Sequence, residues 1–246
     1  NGGMFTNVSQ AAVLNWNQAT INDGTFEISG DETAAVILNG YINNTMDKGV
    51  LNIYGGDFIG EVSIQTMGGS SNSGVVSVYD GNFAGAIELN NGINISGGIF
   101  ASVPENALID EDSIHVEYNG KHIIGDENYV KDNMGAVQSG KEIVVHAGNI
   151  SFTGLPSGTI VTNAGNGNVT ANGIEVAANG TVTIEKPETT TPSQQPTEQT
   201  SSGTTASDKV PTTGDDFNMT ALLAIMALAA AAAAGSVIYG KKRRHS

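Results

Sequence analysis

A six-residue pattern that recurs through the first hundred residues constrains the fold more than any other feature of this sequence. Each copy has a β-branched residue, a variable residue, Gly or Asp, Gly, a second variable residue and Phe. Four copies occupy residues 21–26, 53–58, 78–83 and 95–100, and residues 2–5 are the end of a fifth. Successive Phe residues lie 21, 32, 25 and 17 positions apart, a spacing that fits one coil of a β-solenoid with loops of variable length.

The pattern also predicts how one coil is built. Its glycines permit a tight corner, and the apolar residues on either side point inward to stack on their equivalents in the neighbouring coils. A second short strand precedes each corner, at residues 12–14, 36–38, 62–64 and 87–89. We therefore predict an all-β chain in which residues 1–103 form a right-handed parallel β-helix. This part resembles the repeat-rich β-helical ectodomains of Gram-positive surface proteins. Because the sequence opens within a copy, we expect more chain and an export signal before Asn1.

The composition divides the rest of the chain into three parts. Residues 104–139 are acidic and end the repeats, so we interpret them as a capping and connecting region. Residues 140–186 form a small β module whose predicted strands are separated by Gly and Asn turns, at residues 142–146, 150–153, 159–162, 174–176 and 181–185. Residues 187–209 are rich in Thr, Ser and Pro and lack large apolar side chains, which predicts a disordered stalk.

The charge of the chain disfavours two classes of partner. Up to Thr213 the chain carries six Lys, no Arg and 23 Asp or Glu, a net charge of −17. Such a surface repels nucleic acid and anionic membranes. The chain has no Cys, which excludes disulfides and thiol chemistry. We therefore predict no nucleic-acid partner, and no motif in the sequence calls for a cofactor.

Three features follow one another at the C-terminus. The first is the pentapeptide Val210-Pro211-Thr212-Thr213-Gly214. The second is an uncharged segment of 22 residues, 219–240, which as a helix is about 33 Å long and can cross a bilayer. The third is a basic tail, Lys241-Lys242-Arg243-Arg244, that would stay in the cytoplasm. This order, over residues 210–246, resembles the cell-wall sorting signal recognised by sortases, which has the form Leu-Pro-x-Thr-Gly.

The resemblance implies a route to the cell surface. In that family a membrane transpeptidase attacks the carbonyl of the Thr through a cysteine and transfers it to an amine of the peptidoglycan precursor. It therefore implies a transient single-span membrane precursor, cleavage between Thr213 and Gly214 by a sortase, covalent attachment of Thr213 to peptidoglycan and a location in the cell wall. Val210 replaces the usual Leu, which leaves the class of sortase open. The alternative is an ordinary single-span tail anchor with a chance pentapeptide.

The repeats also predict a candidate ligand contact. The residue after each inward Ile or Val should face solvent, because side chains alternate along a strand. At this position neighbouring coils carry Tyr54 and Tyr79, which should lie about 4.8 Å apart and be flanked by Asn52 and Ser77. Such an aromatic and polar strip can stack on a sugar. The alternative is a Tyr ladder that only stabilises the sheet.

Two classes of function fit these features. We favour an adhesin, a non-catalytic module that contacts a glycan or a host surface. The alternative is a wall-tethered polysaccharide lyase or glycoside hydrolase whose catalytic coils lie upstream of Asn1. The coils hold one basic residue, Lys48, and nothing in the sequence brings two of their carboxylates together, so no catalytic residue is predicted. Asp23 and Asp80 occupy the Gly or Asp position of the corner and are interpreted as turn formers.

The histidines of the body do not form a recognisable motif. His115, His122 and His146 lack the spacing of metal ligands in the sequence. Surface or structural roles are therefore predicted for them, and no metal is predicted.

Overall fold

The computed structural model describes residues 2–7, 10–30, 34–40, 49–66 and 74–186. These residues are mainly β-strand with one short helix, which agrees with the prediction of an all-β chain. The elements are β1 (Met4–Asn7), β2 (Val13–Asn15), β3 (Gln18–Ile21), β4 (Thr25–Ile28), β5 (Ala35–Asn39), β6 (Val50–Ile53), β7 (Asp57–Ile59), β8 (Val62–Thr66), β9 (Val76–Val78), β10 (Asn82–Phe83), β11 (Ala86–Glu88), β12 (Ile93–Ile95), β13 (Gly98–Phe100), β14 (Ala107–Ile109), β15 (Ile114–Tyr118), β16 (Lys121–Gly125), α1 (Glu127–Met134), β17 (Glu142–Ala147), β18 (Ile150–Phe152), β19 (Ile160–Asn163), β20 (Val169–Ala171), β21 (Ile174–Val176) and β22 (Gly180–Thr183).

The repeats build three parallel sheets, because each complete coil contributes one strand to each sheet. The first sheet contains β1, β4, β7, β10 and β13, the second contains β2, β5, β8 and β11, and the third contains β3, β6, β9, β12 and β14. The strands predicted upstream of each corner are those of the second sheet, within one or two residues. The six-residue pattern itself covers the end of a third-sheet strand, the corner and the start of a first-sheet strand.

A row of stacked phenylalanines fills the interior between these sheets. The register aligns the Phe of each copy with the Phe of the next, and the ring centroids of successive members lie 4.9, 5.3, 4.7 and 4.9 Å apart. Phe58, Phe83 and Phe100 are fully buried, and the inward Ile and Val residues of the third sheet join them in one core. Repeated burial of identical side chains therefore fixes the register of the coils.

The corner explains why its second position is always glycine. Gly24, Gly56, Gly81 and Gly98 have φ between 117° and 134°, a conformation that L side chains rarely adopt. A Cβ at any of them would lie 2.8–3.2 Å from the carbonyl oxygen of the corner glycine in the preceding coil. The prediction for the first position is also confirmed. Asp23 and Asp80 each accept a hydrogen bond on Oδ1 from the N–H of the following glycine, at 2.8 and 2.7 Å.

Two buried asparagines link the second and third sheets. Asn15 Nδ2 donates to Asn39 Oδ1 at 2.7 Å, and Asn39 Nδ2 donates to the carbonyl oxygen of Gly49 at the same distance. Both side chains are almost fully buried, at 4% and 0% exposure. The two side-chain amides therefore form hydrogen bonds with each other and with the backbone where the chain turns from one sheet to the next, so their buried polar groups are paired.

The first sheet continues past the repeats, and its buried face changes there. β16 pairs antiparallel with β13, and β15, β17, β19 and β22 follow in that order. Phe100 pairs with His122, so the row of phenylalanines ends in a polar side chain. On the opposite face Ile123, Val116 and Val145 align and belong to a second core. The sheet is thus buried on one face in the coils and on the other face beyond them.

The helix α1 packs on this second core. Asp126 caps its N-terminus by accepting a hydrogen bond from the Tyr129 N–H at 2.8 Å, and Val130 and Met134 are the buried side chains of the helix. The Tyr129 hydroxyl donates to Asp80 Oδ1 at 2.6 Å, which ties the helix to a corner of the repeats. Burial and the neighbouring Asp80 carboxylate raise the pKa of Tyr129.

Residues on either side of position 140 share one sheet and one core. β15 is hydrogen-bonded to both β16 and β17, and the second core includes side chains from residues 114–184. The predicted strands of residues 140–186 are present as β17, β18, β19, β21 and β22. The structure adds β20, which pairs with β18 and β21 in a separate three-stranded sheet.

Candidate functional site

The predicted stalk and sorting signal, with the pentapeptide, the apolar segment 219–240 and the basic tail, lie outside the described residues. In the described part of the chain, no helix is long and apolar enough to span a membrane.

The two tyrosines of the candidate contact lie on the outer face of the third sheet and stack on each other. Their ring centroids are 4.5 Å apart and their planes differ by 5°. Tyr54 N–H donates to the carbonyl oxygen of Ile21 and Tyr79 N–H donates to that of Ile53, both at 2.8 Å, so the backbone holds the two rings in register. Tyr54 is 49% exposed and Tyr79 is 44% exposed. Each tyrosine residue therefore remains almost half exposed despite the stack.

Polar side chains lie beside the tyrosines on the same outer face. Asn52 pairs with Ser77, and Ser77 pairs with Asn94, in the row two residues before the tyrosines. We call Asn52, Tyr54, Ser77, Tyr79 and Asn94 the tyrosine face. It carries amide and hydroxyl groups beside two stacked aromatic rings and has no charged member. Such a combination offers hydrogen bonds to hydroxyl groups and a flat apolar surface to a sugar ring.

A shallow groove continues the tyrosine face across the same sheet. It is lined by Val50, Gly74, Val75, Asn91, Gly92, Asn94 and Leu108. Val50, Val75 and Leu108 are exposed at 38%, 57% and 67%. Aliphatic side chains in this groove extend the apolar part of the surface beyond the two rings.

Three histidines that lack the spacing of metal ligands in the sequence lie together where the row of phenylalanines ends. We call His115, His122 and His146 the histidine cluster. They come from β15, β16 and β17, and their potential ligand nitrogens all lie within 4.8 Å of one another. His115 Nε2 is 3.0 Å from His122 Nδ1, and His146 Nε2 is 3.3 Å from Glu117 Oε2. Among the described residues, these three histidines form the one group of three or more potential metal-ligating side chains that lie close enough to hold one ion.

The pairing of the strands explains how the cluster forms. Asn119 and Gly120 have φ of 53° and 71° and make the tight turn between β15 and β16, which pairs Glu117 with His122. His146 comes from β17 at an irregularity where the register with β15 shifts by one residue. A bulge of this kind re-aims a side chain, and here the shifted residue is the third histidine.

Burial controls the protonation of the cluster. His115 is only 7% exposed, and this burial, with His146 and His122 as neighbours, lowers the pKa of His115 to about 3. Burial also lowers the pKa of His122, although Glu117 opposes the effect. Both rings are therefore neutral at pH 7.

The Asn-Gly dipeptide at residues 119–120, typical of a hairpin turn, is the sequence signal that could have paired Glu117 with His122 and brought His115 near it. No local signal brings His146 to them, because β17 is separated from β16 by the helix.

Comparison with known proteins identifies the C-terminal end. Residues 204–246 match the family model described as the LPXTG cell wall anchor motif. Neither the curated proteins nor the solved structures contain a match to the chain. The anchor motif supports a Gram-positive surface protein that is attached to peptidoglycan by a sortase. The protein is therefore located in the cell wall, at the cell surface, after sortase processing.

Proposed function

We propose that this surface protein is a non-catalytic adhesin that displays a right-handed parallel β-helix and contacts a glycan through the tyrosine face. The observation that carries the proposal is the exposed, in-register stack of Tyr54 and Tyr79 beside Asn52 and Ser77. The contribution of one strand per coil to each of three parallel sheets supports the β-helix.

The open ring faces favour a contact over a purely structural ladder. Continuing the register, the neighbours of the tyrosines on the adjacent coils are Asn22 on one side and Ser96 on the other. Both are smaller than Tyr, so the outer face of each ring has no aromatic neighbour in its row. A sugar that stacks on such a ring gains apolar contact and finds amide and hydroxyl partners nearby.

The anchor supplies the geometry of display. In this proposal the sortase recognises the pentapeptide and cleaves between Thr213 and Gly214, and residues 187–209 form the stalk that separates the body from the wall. We expect mass spectrometry of wall digests to find Thr213 as the C-terminal residue, linked to a peptidoglycan fragment. Wall-linked protein that still carries Gly214 and the apolar segment would contradict this assignment.

The glycan contact is tested on protein released from the wall by peptidoglycan digestion. We expect binding on a glycan array or on host cells to fall at least about fivefold in the double variant Tyr54→Ala, Tyr79→Ala, because stacking on one aromatic ring contributes about 0.5–1.5 kcal/mol and two rings are lost. The matched control is Tyr54→Phe, Tyr79→Phe, which keeps both rings and should retain most of the binding. Unchanged binding in the double alanine variant would remove the tyrosine face as the contact.

A further inference from the structure

We propose that the histidine cluster and Glu117 bind one Zn²⁺ ion, which links strands β15, β16 and β17. This site is independent of the tyrosine face, which lies on a different sheet. Three imidazoles and one carboxylate are a donor set that suits Zn²⁺, which takes four such ligands in a tetrahedral arrangement.

The distances already approach those of a tetrahedral site. With bond lengths of about 2.0–2.1 Å, the ligand atoms of a four-coordinate Zn²⁺ lie about 3.3 Å apart. His115 Nε2 and His122 Nδ1 are 3.0 Å apart, and His146 Nε2 and Glu117 Oε2 are 3.3 Å apart. The widest separation among the three histidine nitrogens is 4.8 Å. The three histidine nitrogens therefore lie near the spacing of one centre, and Glu117 reaches that centre from its place beside His146.

The protonation of the rings is suitable for a metal. A metal ligand must be neutral imidazole, and the 3.0 Å hydrogen bond between His115 Nε2 and His122 Nδ1 needs an unprotonated nitrogen as its acceptor. Without a metal, one N–H lies between His115 Nε2 and His122 Nδ1. Binding of Zn²⁺ to both nitrogens moves that proton to the other nitrogen of its own ring. This change of tautomer releases no proton from the neutral pair.

The site is open on one side. The side chains of His146 and Glu117 are 34% and 40% exposed, whereas His115 is buried behind them. Glu117 also lines a surface groove with Asn119, Lys141 and Glu142, among others. The net charge of −17 up to Thr213 attracts cations to the surface. Lys141, which also lines this groove, is a positive group that opposes this attraction locally. A Zn²⁺ ion can therefore reach the cluster from solvent.

The position gives the ion a structural task. The three strands meet where the buried face of the first sheet changes, and polar rings replace the phenylalanine row on the inner face. The chain has no Cys and therefore no disulfide to hold this junction. A single ion that holds three neighbouring strands would stabilise the end of the repeats against local opening.

Titration calorimetry with ZnCl₂ is the first test, performed on wall-released protein that has been treated with EDTA and then freed of chelator. We expect one Zn²⁺ to bind at the cluster with a micromolar or lower dissociation constant. At a Zn²⁺ concentration about 100 times that constant, the melting temperature should rise by about 5–10 °C. Co²⁺ in the same site should give the visible absorption of a tetrahedral complex.

Single variants locate the ion. His146→Gln and Glu117→Gln change partly exposed side chains and should preserve the far-ultraviolet circular dichroism of the fold. We expect each to weaken Zn²⁺ binding at least about tenfold, since even the loss of an outer-shell partner costs about 10–100-fold. Glu88→Gln is the matched control, because this carboxylate lies in the second sheet and accepts a hydrogen bond from Gln65. It should bind Zn²⁺ like the original protein.

Two outcomes would overturn the proposal. One is the absence of Zn²⁺ binding and of any change in melting temperature at millimolar ZnCl₂. The other is Zn²⁺ binding that is unchanged in His146→Gln, which would locate the ion elsewhere on the protein and leave the cluster as a hydrogen-bonded group of side chains.

Discussion

Truncation of one ring in the phenylalanine row tests the architecture of the repeats directly. Phe83 is 1% exposed and stacks on Phe58 and Phe100 with centroid distances of 4.7 and 4.9 Å. Removing a buried Phe side chain costs about 3–5 kcal/mol, and each lost aromatic pair accounts for about 0.5–1.5 kcal/mol. Because two pairs are lost together, we expect Phe83→Ala to lower the free energy of unfolding by about 4–5 kcal/mol.

Two companion variants separate the ring pairs from the buried volume. Phe83→Leu keeps most of the volume and loses both pairs, so its cost should be about 1–3 kcal/mol. Leu108→Ala changes a side chain that is 67% exposed and should stay within about 0.5 kcal/mol of the original protein. The expected order of stability is therefore Leu108→Ala, then Phe83→Leu, then Phe83→Ala.

Urea unfolding of the wall-released protein, followed by circular dichroism, measures these differences. With a slope of about 2 kcal/mol per molar urea, the midpoint for Phe83→Ala should fall by about 2 M. If Phe83→Ala and Leu108→Ala unfold at the same urea concentration, the phenylalanines do not form a buried stack and the assignment of the coils is wrong.

Three further predictions concern buried polar groups. Asn39→Ala removes the amide that bonds two neighbouring segments and should cost about 1–3 kcal/mol in the same urea assay, whereas a loss below about 0.5 kcal/mol would contradict its role. In metal-free protein the lowered pKa of His115 means that stability present above pH 6.5 is lost as the pH falls toward about 3, by up to about 1.4 kcal/mol per pH unit. His115→Gln should flatten this acid slope, and an unchanged slope would assign it to other groups. The raised pKa of Tyr129 predicts a phenol that stays protonated in the alkaline range where exposed tyrosines ionise. Tyr129→Phe should remove that late step from an ultraviolet pH titration, and the step's persistence would assign it to another tyrosine.

The repeats could be predicted because each coil repeats the same physical requirement. A glycine at a position where φ is positive, and a Phe that must stack on the Phe of the next coil, leave a visible pattern in the sequence. The contact between Tyr54 and Tyr79 follows from the same register, since both residues come directly after an inward Ile or Val.

The end of the repeats could not be predicted in the same way. The helix α1 has only eight residues, and its stability depends on packing Val130 and Met134 into the second core. The cluster depends on the pairing of β15 with β17 and on the shift in register at His146. These are contacts between distant segments, and no periodicity in the sequence reports them.

The change from Phe100 to His122 at the end of the phenylalanine row also sets a rule for how this protein can vary in length. A coil added or lost between existing coils restores the same Phe-on-Phe contact, and the body grows or shrinks by about 4.8 Å. A coil inserted between β16 and β15 would instead set a phenylalanine ring between His122 and Glu117. Recombination can therefore alter the length of the body on the N-terminal side of β16, while the strands that follow remain a fixed part.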